Sequence, residues 1–164
     1  MTMTMKMNNQ DDIFGPFFAM LLLTFVVWFY MYARRFPFLL AYVEAHKITD
    51  MKVLGKPGGP HNLDIVAPES VRNPSDNLKN LFEVPVLFYA FVMYLFVTNQ
   101  VDDMYLQGAW AYVFFRYVHS AIHCTVNKVE YRFHVYVVSC MILFSMMFRA
   151  AYSYVLSESS ATQQ

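Results

Sequence analysis

Charge is what this chain is short of. Aspartate, glutamate, lysine and arginine together make up 15% of its 164 residues, against about 25% in an ordinary soluble domain. Twelve basic residues balance twelve acidic ones, so the net charge gives no electrostatic reason for a nucleic-acid partner. Cysteine is nearly absent too. Cys124 and Cys140 stand in different apolar stretches with no close pairing motif, which gives no basis for a disulfide framework or a thiolate metal centre. No HExxH and no Glu-x-x-His pair occurs, so no metal site is expected.

What fills the space is apolar. Fully 57% of the residues are hydrophobic, and they cluster in four stretches: Ile13–Tyr32, Leu81–Thr98, Met104–Cys124 and Phe133–Leu156. Each is close to the roughly 20 residues that a helix needs to cross about 30 Å of hydrocarbon. The first contains no charged residue. It is too long for a signal-peptide core, lacks a small-residue cleavage site and runs into Arg34-Arg35, a stop-transfer flank. The expectation is therefore an all-α integral membrane protein: a four-helix up-down bundle in one domain over residues 1–164. The spans fall at about 13–35, 77–99, 104–126 and 132–156.

The distribution of charge orients it. Basic residues gather at the connection between the first and second spans, about 36–75, and Lys128 and Arg132 flank the one at 127–131. The connection between the second and third spans carries Asp102 and Asp103 and no base. By the positive-inside rule the two basic loops are cytoplasmic and both termini are not. Prolines and glycines between residues 48 and 75 forbid a long regular element there, and Ser75 or Asp76 is placed to cap the second span. Pro85 is expected to kink that helix.

Polar groups inside hydrocarbon cost roughly 2.5–3.5 kcal/mol per charge on insertion scales, so each needs a reason. Asp76, Asn80 and Glu83 are spaced by four and three, which sets them on one helical face. Arg116, His119 and His123 repeat the spacing in the third span, and Asn127 extends that stripe by a turn. Arg132 and Tyr136 share a face at the start of the fourth, and Arg34 and Arg35 end the first. All of them lie in the cytoplasmic half. Such a cluster suits an anionic ligand with several hydrogen-bonding groups, its carboxylates held by guanidinium groups and an ammonium by Glu83. Against this stand plainer readings: interfacial snorkelling for Arg34, Arg35, Lys128 and Arg132, interhelical hydrogen bonding for Asn80 and Glu83, and no assigned role for Arg149.

Two segments carry a resemblance. Asn77–Ala90 (NLKNLFEVPVLFYA) and Arg116–Tyr136 (RYVHSAIHCTVNKVEYRFHVY) resemble the MAPEG family, membrane-associated proteins in eicosanoid and glutathione metabolism. The resemblance implies a homotrimer with glutathione as co-substrate, bound between neighbouring subunits on the cytoplasmic side. It implies that Arg34 or Arg35, Asn80, Glu83, His119, Arg132 and Tyr136 line that site, and helical spacing sets His123 beside them as a further binding candidate. Arg132 then activates the thiol, with Tyr136 or Arg116 assisting. The implied activity is a membrane-bound glutathione transferase or peroxidase acting on lipophilic electrophiles that arrive through the lipid. The alternative is a non-catalytic lipid-binding or accessory subunit of the same fold within a larger membrane assembly. A third reading, a metal enzyme using His119, His123 and His134, is open to elemental analysis. The chain departs from the family at Asp76 and Lys79, where arginine is common, and at His123, where tyrosine is. Phe133 stands where the prostaglandin branch has serine, so a prostaglandin isomerase is not expected.

Overall fold

In a computed structural model, residues 10–161 are described, and among them all regular structure is helical. A 3-10 turn at Gln10–Ile13 leads into α1 (Phe14–Ala45). A short α2 (Leu63–Val66) precedes α3 (Glu69–Leu81) and α4 (Val84–Val97), and α5 (Asp103–Cys124) and α6 (Val129–Ala161) complete the chain. Three helical segments are long and apolar enough to cross a membrane: Gln10–Ala45, Glu69–Val97 and Val129–Leu156. α5, 22 residues long, is not among them. It is less apolar because it carries the polar stripe, which it turns inward.

That inversion organises the molecule. The buried face of α5 includes Arg116, His119, Ser120 and His123, while Trp110 and Phe114 on its other side are exposed. α1 buries one stripe, Pro16, Met20, Leu23, Val27 and Met31, and exposes Phe18, Phe25 and Phe29. Apolar surface outside and polar atoms inside is the arrangement that lipid as solvent favours. α5 packs chiefly on α6, and α1 on α3 and α5. Their shared core holds Leu81, Phe88, Val92, Tyr112 and Leu143, and the ring of Phe88 stacks on that of Tyr112 at 4.6 Å.

Opposite ends of the molecule are tied separately. At one end the Gln10 side chain donates to Val101 O (3.3 Å) and accepts from Val101 N (3.1 Å), joining the start of α1 to the α4–α5 turn. At the other end Asn73 of α3 meets Asn127 in the α5–α6 connection. Three helices exit through a left-handed residue that is not glycine: Lys47 (φ 50°), Asn99 (φ 54°) and Asn127 (φ 46°).

Two expectations need correction. The second helical stretch begins at Glu69, so Ser75 and Asp76 lie inside α3 and cap nothing. Pro74 sits in the helix interior, where its missing N–H orphans the carbonyl of Ser70. Arg34 of α1 approaches that carbonyl through Nε at 3.5 Å, a long contact that partly replaces the missing donor. Secondly, the stretch is interrupted rather than kinked. Phe82 ends α3, Glu83 precedes α4, and Pro85 occupies its first turn, where a missing donor costs nothing.

The connection between α1 and α3 is irregular but organised. Asp50 caps a 3-10 turn at Met51–Gly55, and Asn62 caps α2. Leu54 and Ala67 are buried, and Tyr42 of α1 holds His61 through a 3.0 Å hydroxyl–imidazole contact.

Candidate functional site

At the interruption between α3 and α4 the chain turns through i to i+3 contacts, Phe82 N to Lys79 O at 3.0 Å and Glu83 N to Asn80 O at 3.4 Å, and these last carbonyls of α3 stay open to a further donor. Arg116 reaches one of them from α5: its Nη2 donates to Asn80 O at 3.1 Å. The Arg116 side chain is wholly buried, yet its Nε and Nη1 have no hydrogen-bond partner, and its Cζ lies 5.5 Å from the centroid of the Tyr136 ring. No carboxylate forms an ion pair with it among the described residues. A guanidinium kept inside the helices without a counter-ion is costly, and such a group marks a place that accepts negative charge.

One turn along α5, His119 is buried with its ring 5.6 Å from that of Tyr136. Its Nδ1 contacts the carbonyl of Arg132 at 3.1 Å. A carbonyl only accepts, so the hydrogen resides on Nδ1, and Nε2 is left buried and unpartnered. Asn80, His119, Val129, Arg132, Phe133 and Tyr136 together line a cavity of about 170 Å³. Behind it Arg132 Nη1 donates to Asn127 Oδ1 at 2.6 Å. The α3–α4 interruption, the inward stripe of α5 and the first turns of α6 thus converge at one level.

Four of the residues singled out from sequence therefore share this cavity, and Arg116 lies directly behind it. His123 is buried one turn beyond His119, with its Nδ1 unpartnered. Glu83 is exposed at the interruption, within electrostatic reach of Arg116 and Tyr136. Arg34 and Arg35 do not reach the cavity within one chain. Arg34 is engaged with Ser70 of α3, and Arg35 lines a narrow crevice with Asp64 and Arg72. Asp76 faces outward and pairs with Lys79 at 3.0 Å, so it does not share the inward face of Asn80. His134 is exposed and bonded to Glu130 O, and no group of three metal-binding side chains occurs among the described residues.

Sequence reasoning passes over the polar seam that adjoins the site. Asn77 is wholly buried, accepts from Ser120 Oγ at 3.3 Å and donates to Cys124 Sγ at 3.4 Å. Asn73 is buried and accepts from Asn127. The signal is present, since Asn73, Asn77 and Asn80 are themselves four and three apart.

Guanidinium and amide donors of this kind suit carboxylates, and the orphaned nitrogens of Arg116 and His119 show buried hydrogen-bonding capacity that the described residues do not satisfy. Neither the curated proteins nor the solved structures give a match to this sequence. The family comparison does: the MAPEG family model matches residues 13–152, most of the chain. With its three apolar helices and its inward polar stripe, the chain belongs to the MAPEG family.

Proposed function

We propose that this protein is a membrane-bound, glutathione-dependent transferase or peroxidase acting on lipophilic electrophiles. One observation carries the reading: Asn80, His119, Arg132 and Tyr136, from three separate helices, line a single cavity beside the unpaired Arg116 guanidinium.

Bound glutathione would supply a thiol nucleophile. A free thiol near pKa 8.5 is mostly protonated at neutral pH, so the protein has to favour its anion. Arg132 is assigned that role because its guanidinium borders the cavity and meets no carboxylate among the described residues. Tyr136 supplies a phenolic donor, and Arg116 adds positive potential from behind. Asn80, His119, His123 and Glu83 take the polar ends of the tripeptide. Val129 and Phe133, both strongly exposed, form an apolar border through which a lipophilic co-substrate enters from the bilayer.

The same reading includes a four-helix up-down arrangement in which α5 is the remaining span, with both termini non-cytoplasmic. It also includes assembly as a trimer. Glu83 is exposed and does not line the cavity, while Arg34 and Arg35 lie away from it. A site shared between neighbouring copies accounts for both placements.

The test is to add glutathione to purified, detergent-solubilised protein, recording ultraviolet thiolate absorbance and conjugation of 1-chloro-2,4-dinitrobenzene. A thiolate band and conjugate formation, both lost in Arg132→Ala, are expected. Absence of both signals in the wild type would overturn the assignment.

A further inference from the structure

A guanidinium only donates hydrogen bonds, and this one-way chemistry propagates through the side chains behind the cavity. Arg132 Nη1 donates to Asn127 Oδ1 at 2.6 Å. With its oxygen so engaged, Asn127 turns its amide nitrogen toward α3, where Nδ2 donates to Asn73 Oδ1 at 3.0 Å. Each carboxamide is thereby fixed in one orientation. Flipping Asn127 would set its NH₂ against the guanidinium, and flipping Asn73 would set donor against donor.

The backbone around these amides is pinned by burial and by hydrogen bonds. Asn73 is 8% exposed inside α3. Asn127 adopts a left-handed backbone (φ 46°), which asparagine tolerates better than most side chains, and its N–H donates to Ile122 O at 2.8 Å. On the other side, the carbonyl of Arg132 is held by His119 Nδ1 at 3.1 Å. Arg132 is therefore fixed at its backbone by α5 and at its head by α3, through two amides.

We infer that Asn127 and Asn73 are positioning residues, a relay that aims the Arg132 guanidinium at the cavity while leaving its charge uncompensated. An amide can hold a guanidinium without neutralising it. A carboxylate at position 127 would hold it equally well and cancel its charge. The inference rests on the reading of Arg132 as the cation facing the glutathione sulfur, and it adds the residues that set that cation's direction and strength.

The test uses the full chain with Asn127→Leu, Asn73→Leu and Asn127→Asp, and two readouts. The first is the rate at which phenylglyoxal modifies Arg132, followed by peptide mass spectrometry and needing no glutathione. Loss of one charge-assisted hydrogen bond should speed that modification about tenfold in Asn127→Leu. Asn73→Leu should give a smaller rise in the same direction, and Asn127→Asp should slow it. The second readout is the pH midpoint of thiolate absorbance at saturating glutathione. Asn127→Asp should raise it by about one pH unit, because the new carboxylate offsets the positive charge beside the sulfur.

Unchanged Arg132 modification in both folded leucine variants would overturn the relay. Should those variants fail to fold, the near-isosteric Asn127→Asp decides, and wild-type labelling together with a wild-type midpoint would overturn it. A wild type that forms no thiolate with glutathione would sink the proposed function, while the labelling arm would still judge the relay.

Discussion

Arg149 of α6 sets its two terminal nitrogens on the two carboxylate oxygens of Asp102, with the Nη1–Oδ1 contact at 3.1 Å. Asp102 also caps α5 by accepting from Tyr105 N at 2.8 Å, and the guanidinium lies 4.2 Å from the centroid of the Tyr105 ring. One side chain thus fastens α6 to the start of α5, at the end of the molecule where Gln10 clamps Val101. From sequence Arg149 has no role to assign; the fold gives it a structural one.

This pair predicts an acid-sensitive contribution to stability. The hydrogen bonds from Arg149 are the largest cause holding the Asp102 carboxyl below the usual carboxylate range. A carboxyl with a lower value folded than unfolded stabilises fully above about pH 4, and the contribution is lost as pH falls through the folded value. Both side chains are about two-fifths exposed, so screening limits the pair to about 1 kcal/mol or less at neutral pH. Arg149→Met should lower the Tm by about 2–4 °C at pH 7 and flatten the acid limb. Thermal unfolding between pH 3 and 7 checks this, and parallel curves for the two proteins would refute it.

Arg132→Ala should lose ligand stabilisation while the apo protein stays folded. At a hundred times its dissociation constant, glutathione stabilises the wild type by about 2.7 kcal/mol if unfolding is reversible. A thermal shift series reads the difference directly. An undiminished shift in the variant would remove Arg132 from the binding site.

Arg116→Met separates stability from activity. Burying a charge without a counter-ion is costly, and an apolar side chain of similar length forfeits only the bond to Asn80 O and the contact with the Tyr136 ring. The variant is expected to have a raised Tm and glutathione turnover reduced about tenfold or more, in line with the trade-off between function and stability. A lowered Tm would mean that the buried guanidinium contributes to the fold itself.

Gly108 sets how closely α5 approaches α6. A Cβ at this position would collide with Met146 Sδ and stand 3.2 Å from its Cγ. Because a thioether chain can swing aside, Gly108→Ala should cost little. Gly108→Val should cost about 1–3 kcal/mol through overpacking. Equilibrium unfolding in mixed micelles measures both, and a valine variant as stable as the wild type would show that the spacing is fixed elsewhere.

The α5 stripe is legible in the sequence because Arg116, His119 and His123 recur at helical spacing among residues that lipid would accept. The α3 side is less so. Pro74 reads as a helix boundary, yet it lies buried inside α3, with the distant Arg34 approaching the Ser70 carbonyl that the proline leaves free. That misplaces the start of the helix, favours Asp76 over Asn77 as an inward residue, and hides the asparagine seam. Pro85 announces a disturbance but not its form. Whether a helix bends or breaks depends on what satisfies the freed carbonyls, and here Arg116 of α5 serves Asn80 O. For Arg34 and Arg35, sequence gives depth along the helix, while the helix they face is decided by packing.

Helix exits that wind left-handed through Lys47, Asn99 and Asn127 use side-chain-bearing residues where glycine would have given slack. Three of the five glycines, Gly55, Gly58 and Gly59, stand instead in the connection between α1 and α3. Backbone play is therefore concentrated in one place. An alanine at Gly58, whose φ is 68°, would therefore tax that connection, whereas the three helix exits already carry the strain of a side chain at positive φ.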